Sequence, residues 1–174
     1  MEELAHTIRT IPDFPKEGIL FRDITPLLQD GRALRRTVRC IADRYREAQL
    51  DAVVSAESRG FILGCAVAYE LGIGFIPVRK PGKLPYEVES ATYELEYGTD
   101  TLEIHRDAIR PGERLLVFDD LIATGGTALA ICELVERLGG TVYEVAFLIE
   151  LVDLEGVTKL GRYSVWSALR LPGK

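Results

Sequence analysis

Three observations predict an α/β domain built on a mostly parallel, twisted sheet flanked by helices. Short apolar runs rich in Val, Ile and Leu recur along the chain, and stretches with helical spacing separate them. The runs have the texture of buried strands, as expected of a parallel sheet covered on both faces. The 174 residues, 47% hydrophobic and 28% charged, are enough for a full core without disulfides. No internal repeat and no linker rich in Pro, Gly or Ser divides them, so residues 1–174 are expected to form a single domain.

The elements follow in order. Leu34, Val38, Ile41, Ala42 and Tyr45 recur at helical spacing, with arginines at 35, 36, 39, 44 and 46 on the wet side, which predicts an amphipathic helix over about 31–48. DAVVSAE (51–57) is a buried strand. Arg59 to Leu71 is a helix that Gly72 terminates, and GFIPVRK (74–80) is a second strand. Residues 84–108 alternate apolar and polar side chains around Gly98-Thr99-Asp100, predicting an antiparallel excursion with its turn at 98–100. It is acidic, carrying Glu87, Glu89, Glu94, Glu96, Asp100 and Glu103, and suits an edge decoration or a lid. RLLVFDD (114–120) is a strand ending in two carboxylates, Thr127 to Leu138 a helix closed by Gly139-Gly140, and TVYEVAFLIEL (141–151) a long strand. Residues 152–174 predict a short turn or helix, then a strand near 163–169 with Trp166 packing; their purpose is not legible.

Charge and cysteine usage narrow the function. Lys and Arg total 21 against 27 Asp and Glu, a net charge of −6 that speaks against nucleic acid as a partner. It also looks wrong for a protein that handles phosphates. The charge is uneven, however: residues 1–60 are balanced, and residues 61–174 carry 11 basic and 17 acidic side chains. No segment is apolar over the length a membrane span needs, and the acidic start MEELAHTIRTIPDF is no secretory signal, so a cytoplasmic place is expected. Cys40, Cys65 and Cys132 are scattered, as reduced thiols are, and His6 and His105 lack metal-ligand spacing.

The chemistry lies in Val117-Phe118-Asp119-Asp120-Leu121-Ile122-Ala123-Thr124-Gly125-Gly126-Thr127. An apolar strand delivers two carboxylates, and a glycine turn then opens a helix. In open α/β sheets, ligands bind outside the carboxyl ends of the strands. The N–H groups of a helix N-terminus attract a phosphate; Gly125 and Gly126 let the backbone approach it, and Thr124 and Thr127 add hydroxyls. Asp119 and Asp120 cannot take that phosphate, but they accept hydrogen bonds from sugar hydroxyls or join a Mg²⁺ shell. An anion cradle beside two hydroxyl acceptors describes a ribose-5-phosphate site. GxxxxGK[ST] and a strand-to-helix GxGxxG are both absent, which excludes a P-loop and weakens a dinucleotide reading.

Asp119 to Thr127 resembles the phosphoribosyl-diphosphate (PRPP) motif of the type I phosphoribosyltransferases. PDFPKEGILFRDITPLL (12–28), ESRGF (57–61), VRKPGKLP (78–85) and LEYG (95–98) resemble the adenine-using members of that family. The resemblance implies the type I phosphoribosyltransferase fold, with an N-terminal base-binding hood over about residues 1–30 and a flexible catalytic hairpin over about 84–108. It implies purine salvage: adenine and PRPP give AMP and diphosphate, with Mg²⁺, in a cytoplasmic homodimer and with no nucleic acid or membrane involved. Ala123, Thr124, Gly125, Gly126 and Thr127 would hold the 5-phosphate. Asp119 and Asp120 would hold the ribose hydroxyls near the Mg²⁺. Ser58 and Arg59, after an expected cis Glu57–Ser58 peptide, would meet the pyrophosphate. Arg79, Lys80 and Lys83 would do so across the dimer interface. Leu20, Phe21, Arg22 and Leu151 would enclose adenine, Phe21 by stacking and Leu20 and Arg22 through backbone groups. Glu96 and Tyr97 resemble the family's catalytic loop pair, Glu96 taking the purine N7 proton or orienting the tautomer.

Three rival readings differ in class or base: a phosphoribosyltransferase for xanthine or a 6-oxopurine, a PRPP-sensing regulator on the same fold, and a non-catalytic scaffold. Residues 1–30 are too short and too little basic for an added DNA-binding domain, and the intact carboxylate pair and loop argue against a scaffold.

Overall fold

The computed structural model describes residues 2–94 and 98–173. After a 3₁₀ turn at Glu2–Thr7 come strands β1 (Arg9–Pro12) and β2 (Leu20–Asp23), then helices α1 (Thr25–Gln29) and α2 (Gly31–Tyr45). Strand β3 (Ala52–Ala56), helix α3 (Arg59–Leu71) and strand β4 (Gly74–Val78) follow, then β5 (Val88–Glu94) and β6 (Thr99–His105). The chain closes with β7 (Arg114–Ile122), α4 (Gly126–Arg137), β8 (Thr141–Leu151), two 3₁₀ turns at Val152–Leu154 and Gly156–Leu160, and β9 (Val165–Leu171).

Five strands form the central sheet in the order β4-β3-β7-β8-β9, and every pairing in it is parallel. The apolar runs are buried on both faces because each feeds two cores. Leu116, Phe118, Ala146 and Leu148 face α2 and α3; Leu115, Val117, Val145 and Phe147 face α4 and the hairpin. Asp30 caps α2, accepting from the Arg32 and Ala33 amides, and the helix buries Val38, Ile41, Ala42 and Tyr45 as the spacing predicts. Gly72 ends α3 in the left-handed conformation, φ 70°. Among the described residues, no helix is long and apolar enough to cross a membrane.

Several boundaries move. The expected helix over 31–48 stops at Tyr45. The turn expected at 98–100 does not take in Thr99 and Asp100: Thr99 pairs with Glu94 and Asp100 with Tyr93, which puts both inside β6. β7 continues two residues past the carboxylates, carried by pairing of Leu121 with Ile149 and Ile122 with Glu150. The last strand is shifted from 163–169 to Val165–Leu171, and Trp166 in it packs edge-on to Tyr45 under the Arg44 guanidinium.

The stem of the hairpin belongs to the core: Ala91, Leu102 and Ile104 are buried. It is also tied to the end of β4, where Arg79 and Glu103 exchange backbone hydrogen bonds of 2.9 and 2.7 Å. At the other end of the chain, β1 and β2 form an antiparallel ribbon whose base is fixed by Asp23. That carboxylate accepts from the Thr25 amide and hydroxyl and from Arg9, which together hold its pKa down at about 2.

Candidate active site

The sheet reverses its winding between β3 and β7: α3 carries the chain outward to β4, and α4 carries it the other way to β8. Loops leaving the C-terminal ends of two such strands diverge and leave a crevice. Arg59 opens α3 on one side of it, and Asp119 and Asp120 lie near the end of β7 on the other. Arg59 Nε is 3.2 Å from Asp120 Oδ2, and the guanidinium carbon stands 5.3 Å from the centre of the Phe21 ring. Hood, α3 and β7 therefore meet at one arginine.

Of the two carboxylates, Asp120 is buried and Asp119 half-buried. Asp120 is 4% exposed, and its Oδ2 has no hydrogen-bond partner of good geometry despite the nearby guanidinium. Asp119 Oδ1 accepts from the Asp120 amide at 2.9 Å. Burial, and next to it the Asp120 charge, push the Asp119 carboxyl well above the usual carboxylate range. Burial also raises Asp120, against the pull of Arg59. Gly60 makes room for this arrangement, since a Cβ there would lie 2.5 Å from Asp119 Oδ1.

The phosphate loop is pinned by backbone contacts. Gly125 has φ 79°, and a Cβ on it would lie 2.3 Å from the Gly156 carbonyl oxygen. A Cβ on Gly156 would in turn lie 2.2 Å from the Ala123 carbonyl oxygen. So the loop rests directly on the second 3₁₀ turn after β8. From the hairpin side, Tyr93 passes close to Gly126, and its hydroxyl is 3.2 Å from Thr127 Oγ1 and 3.3 Å from Asp100 Oδ2. Asp100 also pairs with the Lys80 ammonium, a hydrogen-bonded contact that raises the lysine's pKa and lowers the aspartate's.

A cavity of about 430 Å³ opens beside the loop. It collects Leu20, Phe21 and Arg22 from the hood, Arg59 from α3, Ala123 and Thr124 from the phosphate loop, and Leu151 from the end of β8. These come from four distant stretches of sequence and line one space. Arg79, Lys80 and Lys83 are not among its lining residues. They cluster one strand away, around Glu57: Arg79 donates to it twice, at 3.0 and 2.8 Å, the Lys80 amide at 2.8 Å, and Lys83 Nζ is 4.0 Å away. Burial works against the Glu57 charge, yet the Lys80 amide and Arg79 hold its carboxyl below the usual range. Ser58 is exposed and starts α3 after a cis Glu57–Ser58 peptide, as expected from the sequence. Glu96 and Tyr97 lie outside the described residues. Five residues at this centre escaped the sequence reading: Glu57 as an acceptor, Gly60, Tyr93, Asp100 and Gly156. Only Gly60, next to the arginine of ESRGF, carried a local signal.

Comparison with known proteins gives this geometry a class. The family model described as phosphoribosyl transferase domain matches residues 25–166. The chain belongs to the phosphoribosyltransferase family, and its sheet, flanking helices and crevice form the type I fold. Within that family its resemblance is to adenine phosphoribosyltransferases. That of Desulfitobacterium hafniense is 58% identical over 163 residues, 94% of each chain. The crystal structure from Thermoanaerobacter pseudethanolicus superimposes with a TM-score of 0.95 at 50% identity, covering 98% of this chain and 99% of that one. The structure from Saccharomyces cerevisiae, complexed with an imino-altritol bisphosphate and adenine, gives 0.93 at 42% identity, with 97% of each chain covered.

Proposed function

We propose that this chain joins N9 of adenine to C1′ of PRPP, making AMP and releasing diphosphate. The observation that carries the reading is the shared cavity: a slot with Phe21 and Leu151 among its walls adjoins the Ala123-Thr124 end of a phosphate loop. Near-full-length similarity to adenine phosphoribosyltransferases supports it.

The roles follow from the chemistry of the groups. Ala123, Thr124, Gly125, Gly126 and Thr127 bind the 5-phosphate at the start of α4, where backbone N–H groups and the helix dipole favour an anion. Asp119 and Asp120 accept hydrogen bonds from the ribose hydroxyls and stabilise positive charge that develops on the ring as the C1′–O bond to diphosphate breaks. Arg59 and Ser58 face the leaving group, and Arg79, Lys80 and Lys83 serve the site of a partner subunit. Leu20, Phe21, Arg22 and Leu151 enclose the purine, with a gain of about 1–3 kcal/mol for a stacked base. Glu96 takes the N7 proton and Tyr97 covers the reacting centre, excluding water as the competing nucleophile. The donor set fits Mg²⁺: two adjacent carboxylates, one with a buried oxygen that faces Arg59 without a well-formed hydrogen bond, would share a cation with substrate oxygens, as Mg²⁺ sites commonly do. Bound there, the cation neutralises charge on the diphosphate.

A homodimer is supported by α3, whose outer face leaves Ile62 47% and Tyr69 86% exposed, and by the cationic cluster standing away from its own chain's cavity. A cytoplasmic place suits the three free cysteines. The test is turnover of adenine, hypoxanthine and xanthine with PRPP. Adenine should be preferred by a wide margin, because its position 6 offers a donor where oxopurines offer an acceptor; comparable rates on an oxopurine refute the assignment.

A further inference from the structure

We infer that the C-terminal segment after β8 forms the outer wall of the base pocket, and that the Arg22 side chain is the positioning residue that holds this wall in place. The inference rests on reading the 430 Å³ cavity as the adenine site.

Arg22 is a charged side chain that is only 8% exposed. Its Nη1 donates to Thr10 Oγ1, the residue opposite it in the β1–β2 ribbon, and its Nη2 donates to the Pro172 carbonyl oxygen, both at 2.5 Å. Its Nε is buried without a partner. Both acceptors are neutral, so the guanidinium gives up hydration for two dipoles, a costly arrangement unless the link itself is needed. What it links is the hood strand that faces the base and the last residues of the chain.

The register of the sheet explains how those residues arrive there. β9 runs parallel to β8 with Leu171 opposite Leu151, so the chain leaves the sheet at the level of the Leu151 wall. Pro172 follows, and Gly173 lines the cavity. The Gly173 amide donates to Asp153 Oδ2 at 2.9 Å, and a Cβ on Gly173 would lie 3.3 Å from both Leu151 Cβ and Leu154 Cγ. Gly173 and Leu154 line the same space as Phe21. The segment thus covers one side of the slot, and Arg22 fixes both that cover and the backbone of the strand opposite it. Arg59, Ala123 and Thr124 line the same cavity, but the hydrogen bonds that hold this wall run to Thr10, Pro172 and Asp153 and to none of those three, so loosening it acts on the base before it acts on the phosphates.

The test compares R22M, R22K, a chain ending at Leu171, and R22M in that shortened chain. Steady-state KM values are measured for adenine and for PRPP. R22M and the shortened chain should each raise KM for adenine about tenfold. KM for PRPP should stay within about twofold, and R22K, which keeps the charge on a single donor nitrogen, should fall between. Because the two changes break one link, their effects should not add: the combined variant should match the worse single one. Unmoved adenine KM in the shortened chain, additive effects, or equal rises in both KM values overturn the inference. If R22M does not fold, the shortened chain and R22K decide alone. F21A serves as the control for the pocket itself. If it leaves adenine KM unchanged while the shortened chain raises it, the base-pocket reading fails; if both leave it unchanged, the inference fails with it.

Discussion

Replacing Gly156 by alanine should loosen the grip on the 5-phosphate by displacing the loop that holds it, from a residue that has no role of its own toward substrate. The new Cβ would lie 2.2 Å from the Ala123 carbonyl oxygen and 2.9 Å from the Gly125 nitrogen, where ordinary contact begins at 3.4 Å. Backbone atoms cannot swing aside as a flexible side chain would, so the loop from Ala123 to Thr127 must move by roughly 1 Å, the shortfall of that contact. The φ of Gly156 is not positive, so alanine itself is tolerated by the turn, and the whole effect is steric. A misplacement of about 1 Å costs about 10²-fold in rate, or about 2.7 kcal/mol. Initial rates against PRPP at saturating adenine should therefore show kcat/KM reduced about 10²-fold. KM for adenine should change much less, and the folded state should persist in calorimetry. A kcat/KM for PRPP within about threefold of the parent would refute the argument that Gly156 seats the loop.

Asp119→Asn should abolish PRPP binding yet raise Tm. Burial lifts the Asp119 pKa above its unfolded value, so keeping it ionised costs stability that grows as pH rises through the interval between the two values. The gain in Tm should accordingly be present at neutral pH and fade near pH ~4, where the unfolded carboxyl protonates; a lower Tm at pH 7 contradicts this. Glu96→Gln should lower kcat far more than it weakens PRPP binding, as read by single-turnover rates beside a PRPP titration; equal losses would make Glu96 structural. Asp100→Asn releases Lys80 from its internal partner, so inorganic diphosphate should bind more tightly, by a few-fold in a competition assay, with the advantage shrinking as salt rises. Unchanged affinity would mean the pair makes no difference to the ligand.

The sheet was legible because its strands are apolar on both faces, and α2 because its arginines mark one side so clearly. The phosphate loop was legible because carboxylates after a strand and glycines before a helix are local in sequence. What escaped was long-range. Gly156 looks like any turn glycine until it is seen against Ala123 O, and Asp100 looks like a turn residue until its pairing with Tyr93 puts it in β6 beside Lys80. The strand β7 reads as ending at its two carboxylates, while the ladder to β8 carries it on through Leu121 and Ile122. Residues 152–173 were opaque for the same reason: Gly156 meets Ala123 and Gly125, and Pro172 meets Arg22, all far back in the chain.

The hydrogen bond from Arg22 to Pro172 joins residues 150 positions apart. Closing so long a loop carries an entropic cost that only the intervening elements, already folded, can offset. Pro172 reaches the hood from the end of β9, which pairs with β8, whereas the phosphate loop rests on β7 and the turns that follow β8. Non-local contacts of this kind also slow folding. The anion site is thus contiguous in sequence as strand, loop and helix, whereas the base pocket joins the first strands of the chain to residues some 150 positions later.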